Sequence, residues 1–560
     1  MTPSYSTNPH PSGTDPFRWS RADTAKAFDH FATPHHSSQR QYAQQQGIPR
    51  STLGYWLRRD EPTDADSVAT FFHSPSGTAC LRGIVLAAFV TFQERGACGI
   101  RLIGSFLELA QLDRFVASSR GALQPLAAHL ESDLAIFDDA ERPLLAKQMA
   151  PKHIAVTADE NFHGKDPCLV AIEPVSNFIL VECYRDRRDA DTWTEALREG
   201  VRDTPVTVVL LNSDLARGLL CCAQKGLEVA HSPDLFHGQR DLLKPLLLPL
   251  ARPIQQAEKD LEKAKQHTVK VDAPLDQVQS PEAVQAIVEA VRNELGIAKR
   301  LAEAQERQEE VVQQVRGLAD DYHPFDRHTG LPVTAEQVTE RLHKHLEQVA
   351  NVVAEAGLGE RAHEAVAKTR SWVGTLAACV AWFWLLTHKG VEELELSQEQ
   401  ERAVYESLLP GLYWERAAGR ARDGEERKRL QKLAEELQKA AWQAGGALAS
   451  LPEEEQREVQ RVAQECAGLF SRSSSCVEGR NGRLSLHHHG QGRLSARKLK
   501  ALTVVHNYGV KRADGTTAAE RFFGVKHRDL FSWLLERMPD LPRPAEKRSK
   551  KAAQPSFQAG

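Results

Sequence analysis

The sequence lacks the features that would place the protein in a membrane or outside the cell. No run approaches the roughly 18 consecutive apolar residues that a spanning helix needs. The N-terminal stretch MTPSYSTNPHPSGTDPF has no basic start followed by an apolar segment, as a secretory signal requires. The nine cysteines show no framework spacing, so we expect them to be reduced. These absences predict a cytoplasmic protein without membrane association.

The length and composition predict several soluble structural units. The chain has 560 residues, of which 41% are hydrophobic and 26% are charged, as in ordinary globular proteins. A chain of this length is too long for one core, so we expect three or four units.

The charge is unevenly distributed along the chain. The stretch from residue 478 to residue 551 contains 17 basic and 7 acidic residues, whereas the rest of the chain has a net charge of -14. A basic segment on an acidic chain indicates a polyanionic partner. The terminal letters RPAEKRSKK also fit a solvated tail, and we predict that residues 541–560 form a basic, disordered tail.

A helix-turn-helix is predicted over residues 36–62, after a disordered tail at residues 1–35. A polar-capped helix runs from Ser38 to Gln46, and Gly47 ends it in the left-handed conformation that helix C-termini prefer. In such motifs the second helix enters the DNA major groove. An ordinary helical hairpin has the same pattern. The candidate DNA contacts on the second helix are Arg50, Ser51, Thr52 and Arg58.

Residues 63–150 have helical periodicity throughout. They form either a second DNA-binding motif, opened by Ser118, Ser119 and Arg120, or a dimerisation or linker bundle. The sequence leaves this choice open.

From residue 151 to residue 254 the pattern changes to strands. HIAVTADENFH, PCLVAIEPVS and NFILVECYRD are three apolar runs rich in β-branched residues, and the second and third are joined as in a hairpin. Helical and strand patterns then alternate. The resulting order β-β-β-α-β-α-β-α predicts an α/β domain with a mixed sheet.

Residues 255–470 are rich in Ala, Glu, Gln, Arg and Leu with helical periodicity and no strand signal. We predict an all-helical insertion there. The apolar stretch WVGTLAACVAWFWLLTHKG requires burial in a bundle. Residues 471–540 then return to the α/β domain with a basic helix.

Two carboxylates stand where predicted strands end. Asp159 follows the first apolar run, and Asp214 follows the fourth strand, TPVTVVLLNSD. Asp159 also fits a simple turn, and Asp214 fits the N-cap of the next helix. If both strand ends lie side by side, the two acids converge, and paired carboxylates favour hard divalent ions such as Mg²⁺.

At these residues the sequence resembles the DDE transposases, whose catalytic domain has a ribonuclease-H-like fold. That fold places one metal-binding acid on the first strand and a second just after the fourth, as Asp159 and Asp214 stand here. The third acid lies on a later helix, and Glu478 matches it best, with Glu465 and Glu520 as alternatives. Glu478 is followed by Asn481 less than one helical turn later.

The resemblance narrows to the hAT-like architecture of bacterial insertion-sequence transposases. Asp234 and His237 match the motif of Cys or Asp, two residues, then His that several such enzymes carry before an all-helical insertion. His237 also fits a satisfied core histidine. The implied fold is therefore an α/β ribonuclease-H-like mixed sheet with a large all-α insertion, preceded by an all-α helix-turn-helix region.

The resemblance implies a DNA transposase that cuts and transfers strands with two Mg²⁺ ions, or Mn²⁺ in their place. Asp159, Asp214 and Glu478 are then the catalytic metal ligands, and Asp234, His237 and Asn481 support them. The implied partners are double-stranded DNA, as terminal inverted repeats and target, and further copies of the chain in a homodimer or larger assembly, located at the bacterial nucleoid. The implied DNA contacts of the second half are Arg480, Arg483, Arg493, Arg497, Lys498, Lys500 and, by base stacking, Trp414.

The alternative function is a catalytically inactive, transposase-derived DNA-binding protein. It would keep the helix-turn-helix and the basic helix but not cut DNA. The presence of all three acids argues against it.

Overall fold

A computed structural model describes residues 26–27, 29–31, 37–57, 67–272, 280–421, 423–472, 474–491 and 494–544. The predicted tails lie outside the described residues, apart from 541–544 and a helical stretch within 26–31. Arg58 and Arg493 lie outside them as well. The chain divides into two compact units, the first formed by residues 1–137, 489–492 and 528–560, and the second by residues 138–488 and 493–527.

The described part of the first unit is helical, which confirms the helical prediction for the region after residue 66. A π-helical turn at Phe89–Arg95 extends the fourth helix, and a short 3₁₀ turn lies at Leu112–Arg114. The helices are α1 (Gln39–Gln45), α2 (Arg50–Trp56), α3 (Ser67–His73), α4 (Pro75–Ala88), α5 (Ile100–Leu109), α6 (Arg120–Gln148), which continues past residue 137, and a late helix at Leu530–Arg537.

The predicted pair of helices around Gly47 is confirmed. Ser38 caps α1 in a reciprocal capping box with Gln41. Gly47 has a φ of +63°, which ends α1 in the left-handed conformation. Ile48 in the turn is buried against both helices through a small core shared with Tyr42 and Leu53.

The second unit contains one mixed sheet, as predicted. Its order is β3-β2-β1-β4-β5, in which β1 pairs antiparallel with β2 and parallel with β4. The first strand does not stop at Asp159 and Glu160, as the sequence suggested, because it stays paired with β2 to its end. The strands are β1 (Lys152–His163), β2 (Asp166–Glu173), β3 (Phe178–Tyr184), β4 (Val206–Ser213) and β5 (Ala230–Pro233).

Helices cover the sheet on both faces. Two helices that follow residue 470 in the chain pack their apolar side chains on β2 and β3. The helix after β3 packs on the opposite face, where Gly200 meets the side chain of Val181. The helices beside the sheet are α7 (Ala190–Gly200) and α8 (Arg217–Cys221), and those after residue 470 are α17 (Ser475–Gln491), α18 (Ala496–Val504) and α19 (Ala518–Phe523).

The region between β5 and α17 is helical and has its own extensive apolar core, as predicted. Its first helix begins directly after β5 and continues through residue 255, so the chain enters the helical region without a break. The helices are α9 (Leu235–Asp272), α10 (Pro281–Asp321), α11 (Ala335–Glu355), α12 (Glu360–Glu392), α13 (Gln398–Ala403), α14 (Leu409–Ala418), α15 (Gly424–Ala441) and α16 (Glu453–Gly468).

Two helical segments of the described residues, Pro75–Arg95 and Glu360–Glu392, are long and apolar enough to cross a membrane by length and composition. The sequence shows no long uninterrupted apolar run at these two segments because polar residues interrupt both of them. Core helices of soluble proteins pass the same test. Val373, Val380 and Phe383 of the second segment pack into the helical core.

Candidate acidic site

The register of the parallel strands brings the two predicted acids to the same level. Thr157 of β1 is the partner of Asn212 of β4. Asp159 and Asp214 each lie two residues beyond this pair, so they are side by side at the level where β4 ends, while β1 continues to His163. Ligands of α/β sheets bind at this edge. Asp214 does not cap the next helix, whose N-cap is Ala216, although its Oδ1 accepts a 2.9 Å hydrogen bond from the Ala216 amide.

The strand pairing also decides which face Asp159 occupies. Asp159 pairs with Val170, whose side chain packs in the cluster beneath α17. Asn481 of α17 donates a hydrogen bond of 3.0 Å to Asp159 Oδ2. The Glu160 amide donates to Asp159 Oδ1 at 2.9 Å. The structure therefore brings Asn481 to the first acid, although the two lie far apart in the sequence.

Asp159 lies in an environment that disfavours its charge. Burial, together with the nearby charges of Asp214 and Glu160, raises its pKa to about 7. The charge of His237 acts weakly in the opposite direction. A nearby cation would stabilise the charged form of a carboxylate under such repulsion.

Glu160 projects to the opposite face of β1 because side chains alternate along a strand. It forms an ion pair there with Arg188, just before α7. Burial raises the pKa of Glu160 in spite of this partner. The adjacent acids thus have different surroundings, and Glu160 has a structural partner of its own.

Asp234 and His237 link β5 to the third predicted acid. Although burial opposes its charge, hydrogen bonds from His237 and Ser474 lower the pKa of Asp234. His237 Nδ1 lies 2.9 Å from Asp234 Oδ2, and this hydrogen bond raises the pKa of His237. On its other side His237 Nε2 lies 3.4 Å from Glu478 Oε1. His237 therefore links the buried carboxylate of Asp234 to Glu478 on α17.

The two alternative third acids have other roles in the structure. Glu465 Oε1 accepts a 2.6 Å hydrogen bond from the His153 amide, at the start of β1 and six residues before Asp159. Glu520 completes the capping box of α19 with Thr517. Among the described residues, neither forms a hydrogen bond or an ion pair with Asp159 or Asp214.

Some of the side chains at this edge are suitable ligands for a hard divalent ion. Asp159 and Asp214 supply carboxylate oxygens, the donors that Mg²⁺ prefers, and their repulsion is what such an ion would relieve. Glu478 is engaged by His237. Within the described ranges, no group of three or more His, Cys, Asp or Glu side chains has the arrangement of a metal site.

The structure corrects two of the predicted DNA contacts on α17 and α18. Arg480 is buried and donates to both carboxylate oxygens of Glu182 on β3, one of them at 2.7 Å. Lys498 is 5% exposed. Buried side chains of this kind support packing and do not present charge to a phosphate backbone. Arg483 and Arg497 are exposed, and Lys500 forms an ion pair with Asp138.

Trp414 also differs from its predicted role. It is 1% exposed and packs in the core of the helical region, so its ring offers no free face to a base. It borders a cavity of about 440 Å³ that extends to Glu478. Phe236, whose side chain is 43% exposed, is the aromatic residue at this cavity that a base could reach directly.

Sequence reasoning assigned no role of their own to three arginines that border the same cavity. Arg416, Arg420 and Arg472 lie on or after helices of the helical region and had no motif to mark them. Ser474, which donates to Asp234 from just before α17, was also missed. The spacing of about 240 residues between Ser474 and Asp234 leaves no local signal.

The fold and the acidic edge define a largely helical protein with one mixed five-stranded α/β sheet. The sequence model of a family of unknown function (DUF6399) matches residues 404–550. This stretch includes Glu478, Asn481 and the cavity arginines, but not the sheet. No curated protein and no solved structure matches the chain.

Proposed function

We propose that the protein is a metal-dependent DNA phosphoryl transferase with a ribonuclease-H-like catalytic domain, and specifically a DDE transposase. The observation that supports this most is the pairing of Asp159 and Asp214 at one sheet edge, with α17 carrying Glu478 and Asn481 over the same face. The strand order with one antiparallel β2 beside the parallel strands agrees with that fold.

In the proposed reaction, Asp159, Asp214 and Glu478 would hold two Mg²⁺ ions, which when bound would activate the attacking oxygen and stabilise the leaving one. Asn481 would position the Asp159 carboxylate, and His237 would orient the Glu478 carboxylate. Water first hydrolyses a phosphodiester at the element end, which gives a free 3′-hydroxyl and a 5′-phosphate. The freed 3′-hydroxyl then attacks a phosphodiester of the target, whose own 3′-oxygen leaves as a hydroxyl. Both steps are phosphoryl transfers without a covalent protein intermediate.

DNA recognition is assigned to the first unit and to exposed arginines of the second. Arg50 and Ser51 are exposed at the start of α2, where a reading helix contacts bases and phosphates. Arg483 and Arg497 supply phosphate contacts. Pairing of two element ends requires more than one copy of the chain, and a symmetric closed assembly is the default.

The test uses a plasmid carrying the gene together with its flanking DNA, incubated with purified protein and Mg²⁺. We expect strand cleavage at the element ends by the wild-type protein and none by Asp159→Asn or Asp214→Asn. Glu160→Gln is the matched control, because it neutralises the adjacent carboxylate on the other face of β1.

Cleavage that persists in both aspartate variants refutes the metal assignment. Tight end binding by a wild-type protein that never cuts identifies the inactive, transposase-derived DNA-binding protein instead.

A further inference from the structure

The cavity beside Glu478 has a wall of arginines that the acidic site does not use. It measures about 440 Å³, within the range of small-ligand sites. Arg416 and Arg420 contribute from the region of α14, and Arg472 from the segment before α17. The cavity therefore lies where the helical region meets the acidic edge of the sheet.

The three arginines donate to main-chain carbonyls. Arg416 donates to the Ala467 and Phe470 carbonyls, Arg420 to the Pro174 carbonyl and Arg472 to the Ala319 carbonyl. Among the described residues, no carboxylate forms an ion pair with any of the three. Burial and the neighbouring charge of Arg420 lower the pKa of Arg416 to about 9. The cavity thus holds concentrated positive charge that lacks an anion.

The acids that border the cavity have other ion-pair or hydrogen-bond partners, although the charge of Asp320 also acts on Arg472. Asp320 and Glu426 each lie 2.6 Å from Arg327, with which they form ion pairs. Asp423 caps α15 by accepting a hydrogen bond of 2.8 Å from the Glu426 amide. Glu478 faces His237.

We propose that this cavity is a phosphate subsite, in which Arg416, Arg420 and Arg472 bind a phosphate of a nucleotide strand next to the one that reacts. Guanidinium groups bind phosphate through paired N–H donors. The exposed ring of Phe236 at the same cavity favours a nucleotide as the bearer of the phosphate, since bases stack on aromatic rings. The identity of the strand as substrate rests on the proposed function.

The test measures binding of full-length protein to a fluorescein-labelled single strand of twelve thymidines, in EDTA and over a range of KCl concentrations. We expect Arg420→Gln and Arg416→Gln to weaken binding, and each to reduce the slope of log affinity against log salt by about 0.7, as loss of one phosphate contact predicts. Arg416→Lys should keep the wild-type slope because it keeps the charge.

The matched control is Arg457→Gln. Arg457 is exposed on α16 and also donates to a main-chain carbonyl, that of Glu453, but it does not border the cavity. A twelve-base-pair duplex is the second control, since the helix-turn-helix and not the cavity is proposed to bind it. A wild-type slope with the thymidine strand, together with wild-type affinity for ATP, in both glutamine variants overturns the phosphate subsite. This holds even if Arg416→Gln is less stable, because Arg420 is exposed and its variant should fold.

A parallel measurement with ATP separates the two sources of the phosphate. Weakened binding of the thymidine strand assigns the site to a nucleotide strand. Weakened binding of ATP alone retains the phosphate site but assigns it to a free nucleotide. No cleavage is read in this assay, so a protein that binds through these arginines but never cuts DNA refutes the proposed function and leaves the phosphate subsite standing.

Discussion

Asn481 on α17 donates a hydrogen bond of 3.0 Å to Asp159 on β1, across 322 positions of sequence. The bond joins the first strand to a helix that follows the whole helical region. It also satisfies one oxygen of a carboxylate whose charge is disfavoured by burial.

Replacement of Asn481 by alanine should weaken cleavage by about 10- to 100-fold, as loss of a residue that orients a metal ligand does. The physical reason is that the Asp159 carboxylate loses the donor that fixes it. The effect should appear as a higher Mg²⁺ concentration for half-maximal cleavage. Asn293→Ala, at an exposed asparagine of α10, should leave this concentration unchanged; equal effects in both variants would contradict the positioning role.

Among the three candidate third acids, only Glu478 should be required for cleavage. Glu478→Gln removes the carboxylate that faces His237, and we expect loss of cleavage with DNA binding retained. Glu465→Ala and Glu520→Ala remove the acceptor at a strand start and at a helix cap, so they should lower the melting temperature and leave cleavage of the folded protein largely intact. Retained cleavage in Glu478→Gln would remove this residue from the site.

The pH dependence of stability should reveal the raised pKa of Asp159. The folded-state pKa is about 7, against an ordinary value of 3.8. Between these values the folded protein binds more protons than the unfolded chain, so stability falls as the pH rises from about 4 to about 7. In EDTA, Asp159→Asn should therefore raise the free energy of unfolding at about pH 8, by roughly 1–2 kcal/mol after screening is allowed for.

The gain in Asp159→Asn should be much smaller near pH 4, where the wild-type carboxyl is already protonated. Thermal unfolding at both pH values measures it. An equal gain in unfolding free energy at both pH values would mean that the charge of Asp159 is not the cause. Added Mg²⁺ should raise the melting temperature of the wild-type protein at pH 8 but not that of the variant.

Substitutions of Arg480 and Arg483 should have different effects, on packing and on DNA binding respectively, although the two residues are only three positions apart on one helix. Arg480→Met leaves Glu182, whose side chain is fully buried, without its ion-pair partner. We expect a loss of about 3–5 kcal/mol of unfolding free energy. Arg483→Gln should instead weaken DNA binding without changing stability. Arg480→Met combined with Glu182→Leu should recover part of the lost stability.

In the proposed helix-turn-helix, one substitution should affect DNA binding and another should affect stability. Arg50→Ala should weaken binding of element ends and reduce its salt dependence, because Arg50 is exposed at the start of α2. Gly47→Ala should destabilise the first unit by about 1 kcal/mol, since its φ of +63° is strained for alanine. Urea unfolding and an electrophoretic mobility shift with the flanking DNA measure the two effects. A wild-type affinity in Arg50→Ala would assign DNA binding elsewhere.

Much of the local structure followed from the sequence. The strand pattern of residues 153–186 and the left-handed Gly47 were read correctly because apolar periodicity and glycine act over a few residues. The strand end at Asp159 was read wrongly. A polar pair usually stops a strand, but here β2 continues the pairing and Arg188 accommodates Glu160.

The sequence by itself determined most of the elements and the helical character of residues 255–470, since each depends on neighbours in the chain. Only the tertiary structure decided which charges meet. The sheet register sets Asp159 beside Asp214, α17 brings Asn481 and Glu478 to them, and burial takes Arg480 and Trp414 away from any DNA surface. These relationships depend on distances across the fold, which composition and spacing do not encode.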